Sequence, residues 1–331
     1  MAVIAELGRT IGKSMPYEFV PGLRVGKGGL PEDDRICMWV EGAEHQNPVF
    51  DSKTPAIPGQ ALTLRNDLQL ASIRPEVQSD GITLSAPGLE DLLIPTVEDV
   101  ADNRIPVKIW SWHGEAIDQG DEAAKWGEAI FKRPVRFVRI SSEAPRYVEN
   151  NRALGRVAFS DGYPLTIGSL KGIELINQRL ESYGQAQIPP EQSRTTLLLE
   201  GLDPPYELPE YAFPEDYIAS LVFEQDDLEL EFEVQKACGR CLIMNQQRQT
   251  GENIKGRKVL YALGQLGRQG RHIDIDRFGD GIEKFWTQNA SIRLPKNMPP
   301  DFVFKLVRNA EVRVNYRPTP NWVPLSIRTA A

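Results

Sequence analysis

Ala237-Cys238-Gly239-Arg240-Cys241 is the segment best suited to chemistry, with two thiols flanking a guanidinium. A cation in that position favours the thiolate and offers a fork of donors to an anion. Structural zinc asks for four soft or borderline ligands and a plant-type iron–sulfur cluster for four cysteines, whereas the chain has three cysteines in all. A thioredoxin-like pair would open a helix, and no helical stripe starts here. The strictly alternating run Leu228-Glu-Leu-Glu-Phe-Glu-Val234 comes before the pair and Leu242-Ile243-Met244 after it, so a tight turn between two β segments is predicted. The bland alternative is two small buried thiols at that turn. On the residues alone, this is a candidate thiolate beside a positive charge, and the metal is not named.

Other motifs fail on inspection. Gly12-Lys13-Ser14 looks like the end of a phosphate-binding loop, but the glycine required five positions before Gly12 is replaced by Leu7. Gly26-Lys27-Gly28-Gly29 does not fit a dinucleotide fingerprint and reads as a turn. His45, His113 and His272 are isolated, with no helical pair for zinc.

The elements that must position the thiols are short. The 25 prolines break the chain into strand-like runs at Ile36–Val40, Val107–Trp112, Val135–Ile140, Thr195–Glu200, Leu228–Val234 and Phe302–Val307. Helical periodicity covers Asp121–Lys132, Ser169–Leu180 with Ser169 as N-cap, and a shorter Leu260–Leu266. Strands and helices do not alternate regularly, so a β-rich, barrel-like α+β fold is expected rather than a doubly wound sheet. At 331 residues two domains are expected, with the polar stretch Ser141–Arg156 holding the boundary. A formal net charge of -8 argues against a broad nucleic-acid-binding face. No apolar run is long enough to cross a bilayer, the N-terminus lacks the pattern of a secretory signal, and three cysteines suit a reducing compartment. The expected location is the cytoplasm.

Ala-Cys-Gly-Arg-Cys-Leu-Ile, with Thr250-Gly251 following, resembles the cysteine motif of MOSC-domain proteins, a family that includes the amidoxime-reducing components. Leu260, Leu263 and Arg268 match the family's next segment, where Val259 stands at a proline position. Phe159-Ser160-Asp161-Gly162-Tyr163-Pro164-Leu165, then Ser169-Leu170 and Asn177–Leu180, are similar to the opening of the MOSC domain. Lys13-Ser14 and Asp34-Arg35 resemble elements of the family's N-terminal β-barrel domain, and Asp121–Trp126 with Val135–Val138 resemble its end. The resemblance spans roughly residues 1–280. It implies a β-barrel-like domain over 1–145 and a MOSC barrel domain with a few helices over 146–331, the latter carrying a divergent C-terminal extension.

The resemblance further implies a molybdenum cofactor (Mo-molybdopterin), with Cys241 as the protein's metal ligand and Cys238 the less favoured choice. A soft thiolate suits that metal. Lys13, Ser14, Arg35, Arg194, Gly239 and Arg240, the turn residues Asp161, Gly162 and Tyr163, and Thr196 stand at the cofactor-binding positions, and the cations would meet its phosphate. Arg35 and Arg194 could instead be ordinary strand-end ion pairs. The activity implied is reduction of N-hydroxylated or N-oxide-type small molecules by oxygen-atom transfer. Electrons would come from an external donor (a cytochrome, ferredoxin or flavin reductase), and a monomer is expected. Two departures bear on the substrate: Arg194-Thr195-Thr196 replaces Arg-Pro-Asn, and Gln246-Gln247-Arg248 replaces Val-Asp-Pro. The rival readings are a carrier of persulfide sulfur or of the cofactor itself, and a degenerate, non-catalytic MOSC binding protein.

Overall fold

The computed structural model describes residues 1–29, 31–43, 45–46, 55–209, 212–247, 250–252, 254 and 258–324, and Arg248 lies outside them. Its centre is a closed barrel of seven strands: β1 (Ala2–Arg9), β2 (Leu165–Ser169), β3 (Leu197–Glu200), β4 (Ile218–Gln225), β5 (Leu228–Gly239), β6 (Glu283–Arg293) and β7 (Glu311–Tyr316). The order around it is β2-β3-β1-β7-β4-β5-β6, and β6 returns to β2 through Leu165↔Ala290, which leaves no open edge. β2 and β3 are parallel. A parallel pair needs a crossover, supplied by α2 (Leu170–Glu181), whose N-cap Ser169 accepts from the Gly172 N–H at 2.9 Å. Inside the barrel, Ile4, Leu7, Leu221, Leu230 and Phe232 are fully buried.

A second, half-barrel sheet runs Arg104–Ile109, Trp112–Asp118, Val135–Ile140, Cys37–Glu41, all antiparallel. Helix α1 (Asp121–Phe131) covers its inner face, where Trp39, Phe137 and Phe131 meet. The remaining α-helices among the described residues are α3 (Val259–Gln265) and the single turn α4 (Ile275–Phe278). The protein is therefore β-rich α+β, as the patterning implied. Among the described residues no helix is long and apolar enough to cross a membrane.

Strand pairing adds two facts to the expectations, and one expectation needs correction. Strands from the two ends of the chain pair with each other: β1 pairs with β3 and β7, and Gly22–Val25 pairs with Phe304–Val307, while Glu18–Val20 pairs with β1. The C-terminal segment belongs to the barrel, since β7 sits between β1 and β4 and completes it. Finally, the cysteine turn does not join two β segments. β5 runs on through Cys238 to Gly239, and Cys241 caps a 3-10 turn over Leu242–Asn245. Two register shifts, at Val234/Lys236 and Ala237/Gly239, carry β5 past the point where its alternation ends.

Candidate functional site

Register places the loops that matter at one rim of the barrel. The pairs Leu7↔Leu197 and Ile167↔Leu197 set the end of β1 beside the starts of β2 and β3, and Leu165↔Ala290 with Val234↔Ala290 brings the second half of β5 alongside the start of β2. There a cleft of about 190 Å³ opens, lined by Lys13, Ser14 and Arg35 from the first segment and by Asp161, Gly162, Tyr163, Arg194, Cys238, Gly239, Arg240 and Cys241 from the second. Of the residues expected to hold the cofactor or the metal, Thr196 alone is not in this lining. It lies one step behind, where its N–H and hydroxyl exchange bonds of 3.2 Å each with Thr166, which does line the cleft.

The thiols of Cys238 and Cys241 are free and partly exposed, whereas Cys37 is fully buried and burial pushes its thiol far up, which makes it inert. Arg240 is not the open anion fork that its position suggested. Its Nε donates to the Trp286 carbonyl at 3.0 Å, and its Nη2 donates to the Ser193 carbonyl at 3.0 Å and to Thr287 Oγ1 at 2.8 Å. It ties the thiol turn to the loop that carries Arg194.

Lys13 is buried, its Nζ donating to the Phe159 carbonyl at 3.1 Å and to Asp161. Burial lowers its pKa and the Asp161 carboxylate opposes the drop, while the Asp161 carboxyl is held well below the usual range despite its own desolvation. Two of the ammonium's three donors are thus committed, leaving the third for a ligand. Arg35 has a positive φ of 55°, bonds Asp34 and receives the Phe159 N–H on its carbonyl at 3.0 Å. Arg194, with φ 51°, donates to the Met15 carbonyl at 3.1 Å and lies over the Tyr17 ring.

Sequence reasoning missed two residues. Arg65 lines the cleft and lies 3.9 Å from Asp161, and no motif marks it. Arg146 clamps the Asp161 turn from behind, with Nη1 donating to the carbonyls of Ala158 (2.9 Å) and Ser160 (2.5 Å) and Nη2 to that of Asp161 (2.9 Å). Desolvation brings its pKa down to about 10, so it stays charged near neutrality. Arg268, matched to the family's arginine, does not line the cleft and forms a buried two-point pair with Asp216. His113 and His272 do not line the cleft either.

Five cations, Lys13, Arg35, Arg65, Arg194 and Arg240, against one lining carboxylate make this an anion-attracting site in a chain whose net charge is -8. Among the described residues no three His, Cys, Asp or Glu side chains converge as a metal cage. A metal here would need a ligand-bearing group that brings most of its own donors. A soft thiol pair and a cationic wall fit such a group when it also carries a phosphate.

Residues 13–134 match the MOSC N-terminal beta barrel domain. The chain is 26% identical over 199 residues to mitochondrial amidoxime-reducing component 1 of Mus musculus, covering 58% of this chain and 54% of that protein. It is 26% identical to the Homo sapiens component 1 over 199 residues and 25% identical to the Bos taurus component 2 over 202 residues, with the same coverages. The chain spans about half the length of these relatives. A solution structure of a protein from Bordetella bronchiseptica aligns with 32% of this chain and 72% of that one at 22% identity and a TM-score of 0.25, a score from which no kinship of fold follows. The chain carries a MOSC N-terminal beta barrel domain and is a distant homologue of the mitochondrial amidoxime-reducing components.

Proposed function

We propose that the cleft holds a molybdenum–pterin cofactor with Cys241 as its protein ligand, and that the protein reduces N-hydroxylated small molecules. The observation that carries this reading is the convergence of Lys13 and Arg35 with Arg194, Arg240 and Cys241 in one cleft, although they are spread over more than 200 positions of sequence. The distant homology to proteins named for reducing amidoximes supports the substrate class.

In the reaction an N–OH compound takes up two electrons and two protons, the N–O bond breaks, and water leaves with the N–H product. The cofactor, when bound, supplies the two-electron chemistry. The chain's own residues bind and orient. Cys241 offers the soft sulfur, while Lys13, Arg35 and Arg194 face the cleft as the phosphate's cations. Arg240 and Arg146 hold the two turns in place through backbone carbonyls. Electrons come from an external donor of the cytochrome, ferredoxin or flavin-reductase type.

Protein produced in a host that makes the cofactor should contain about one molybdenum and one pterin per chain, and should reduce a hydroxamate with an artificial electron donor. Cys241→Ser should abolish turnover with the fold intact, because a hydroxyl is a harder and less acidic ligand, and Cys238→Ser should keep part of it. Chains consistently free of molybdenum and tungsten would overturn the enzyme reading. Cofactor content without turnover, accompanied by sulfur released by cyanide, would favour the carrier instead.

A further inference from the structure

Trp110 occupies the first position of the two-residue loop between Arg104–Ile109 and Trp112–Asp118, with φ 53°. Glycine or asparagine fills such a place without strain, whereas a bulky aromatic does not. Its side chain is also half exposed, at 50%, against the burial of the neighbouring strand residues Val107 and Ile109. A residue both strained and exposed is held there by something other than packing.

Its surroundings say what that is. The Arg65 guanidinium, part of the cleft lining, lies 4.6 Å from the centre of the Trp110 ring. Trp110 is also one of the groups that lower the Asp161 carboxyl, after Lys13, and Asp161 lines the cleft. On the next strand Trp112 packs beneath Arg146, which grips the Asp161 turn from behind. The hairpin tip is thus fastened by two cation–aromatic contacts, to Arg65 in the cleft lining and to Arg146 behind the Asp161 turn, and its half-exposed indole stands next to the lining rather than in it. Arg65 backs one side of the ring, and exposed ring surface remains for a second planar partner.

We infer that Trp110 and Arg65 form a stacking subsite at the cleft mouth that binds the planar aromatic portion of an N-hydroxylated substrate. The inference rests on the proposed activity for the identity of the reacting group, but the subsite itself is a property of the protein surface.

Benzohydroxamic and acetohydroxamic acids share the reacting group and differ in the ring, so the ratio of their affinities isolates the stack. Calorimetry on the cofactor-loaded protein should show wild type favouring the aromatic acid by about tenfold, the scale of one aromatic stack. Trp110→Gly should collapse that ratio toward one while raising Tm, because the strain is relieved. Trp110→Phe should retain most of the ratio. The ratio of KM values in turnover should follow the binding ratio. A wild type that does not discriminate, or a Trp110→Gly protein that discriminates as well as wild type, overturns the subsite. Loss of molybdenum from Trp110→Gly also overturns it, since Trp110 would then serve the cofactor. If neither acid is reduced but the binding ratio and its loss are seen, the proposed activity fails and the subsite stands.

Discussion

Arg240 donates to the Ser193 carbonyl across 3.0 Å, so the segment bearing both thiols and the turn bearing Arg194 are joined by one guanidinium. The same group reaches the Trp286 carbonyl and Thr287 Oγ1, which fixes the turn to β6 as well. Bonds from a charged donor contribute more than neutral ones, about 1.5–3 kcal/mol each before coupling. Arg240→Ala should therefore destabilise the chain by roughly 2–4 kcal/mol in denaturant melts. Arg240→Lys should recover less than half of that loss, because an ammonium cannot span three acceptors with a planar fork. Full recovery by lysine would mean that charge, not geometry, is what the site uses.

Glu215 predicts an unusual pH dependence. Burial, reinforced by Asp216 beside it, raises its pKa from 4.5 to about 7, while a hydrogen bond from Ser169 works the other way. The folded chain holds this proton more tightly than the unfolded chain. The contribution to stability is thus fully present below about pH 4.5 and is lost as pH rises through about 7. The shift corresponds to roughly 3 kcal/mol. Glu215→Gln keeps the shape and an acceptor for Ser169, so it should melt higher than wild type at pH 8 and close to it at pH 5. A variant that is less stable at pH 8 would show that the carboxylate is stabilising.

The C-terminal segment makes a second buried polar contact. Trp322 Nε1 donates to Asp216 at 3.1 Å, over the fully buried Arg268 pair, while its ring packs on Phe285. Trp322→Phe retains the ring and removes the N–H, which should cost about 1–3 kcal/mol. Deleting residues from 311 onward removes β7 and opens the barrel between β1 and β4, so that chain should show no cooperative melt. A cooperative melt in the truncated chain would show that the barrel closes without β7.

Legibility followed the range of the interaction. Val135–Ile140 is a strand with the bounds that its apolar run implied, and Ser169 caps α2 as its position suggested, because both depend on neighbours a few residues away. Leu228–Val234 was readable from alternation, but its continuation to Gly239 is carried by register shifts against β6, which local pattern does not encode. Apart from the nearby Glu18–Val20, the partners of β1 lie some 190 and 310 positions away, and nothing local announces them. Within the cleft, the motif-bearing residues were visible and Arg65 and Arg146 were not. Each is a single arginine in an unremarkable segment, recruited by what folds against it.

The sharpest consequence of the cleft is that cations contributed by the first 35 residues should govern retention of a ligand held by a cysteine at 241. Arg35 lines the cleft while one of its nitrogens bonds Asp34, and burial pushes that carboxyl up while Arg35 opposes the rise. Removing the charge therefore acts twice, by taking a cation from the phosphate and by leaving Asp34 without its partner. To separate the two effects, Arg35→Gln should be compared with Arg35→Gln/Asp34→Asn. Stability lost in the first should largely return in the second, because a buried charge without a partner is what costs several kcal/mol. Cofactor retention should stay low in both, measured as pterin remaining after gel filtration in 0.5 M salt, with a loss of about tenfold for one charge-assisted contact. If retention returns together with stability, Arg35 acts only through the fold. If neither variant releases pterin, the cofactor does not use the first segment, and the shared site fails with it.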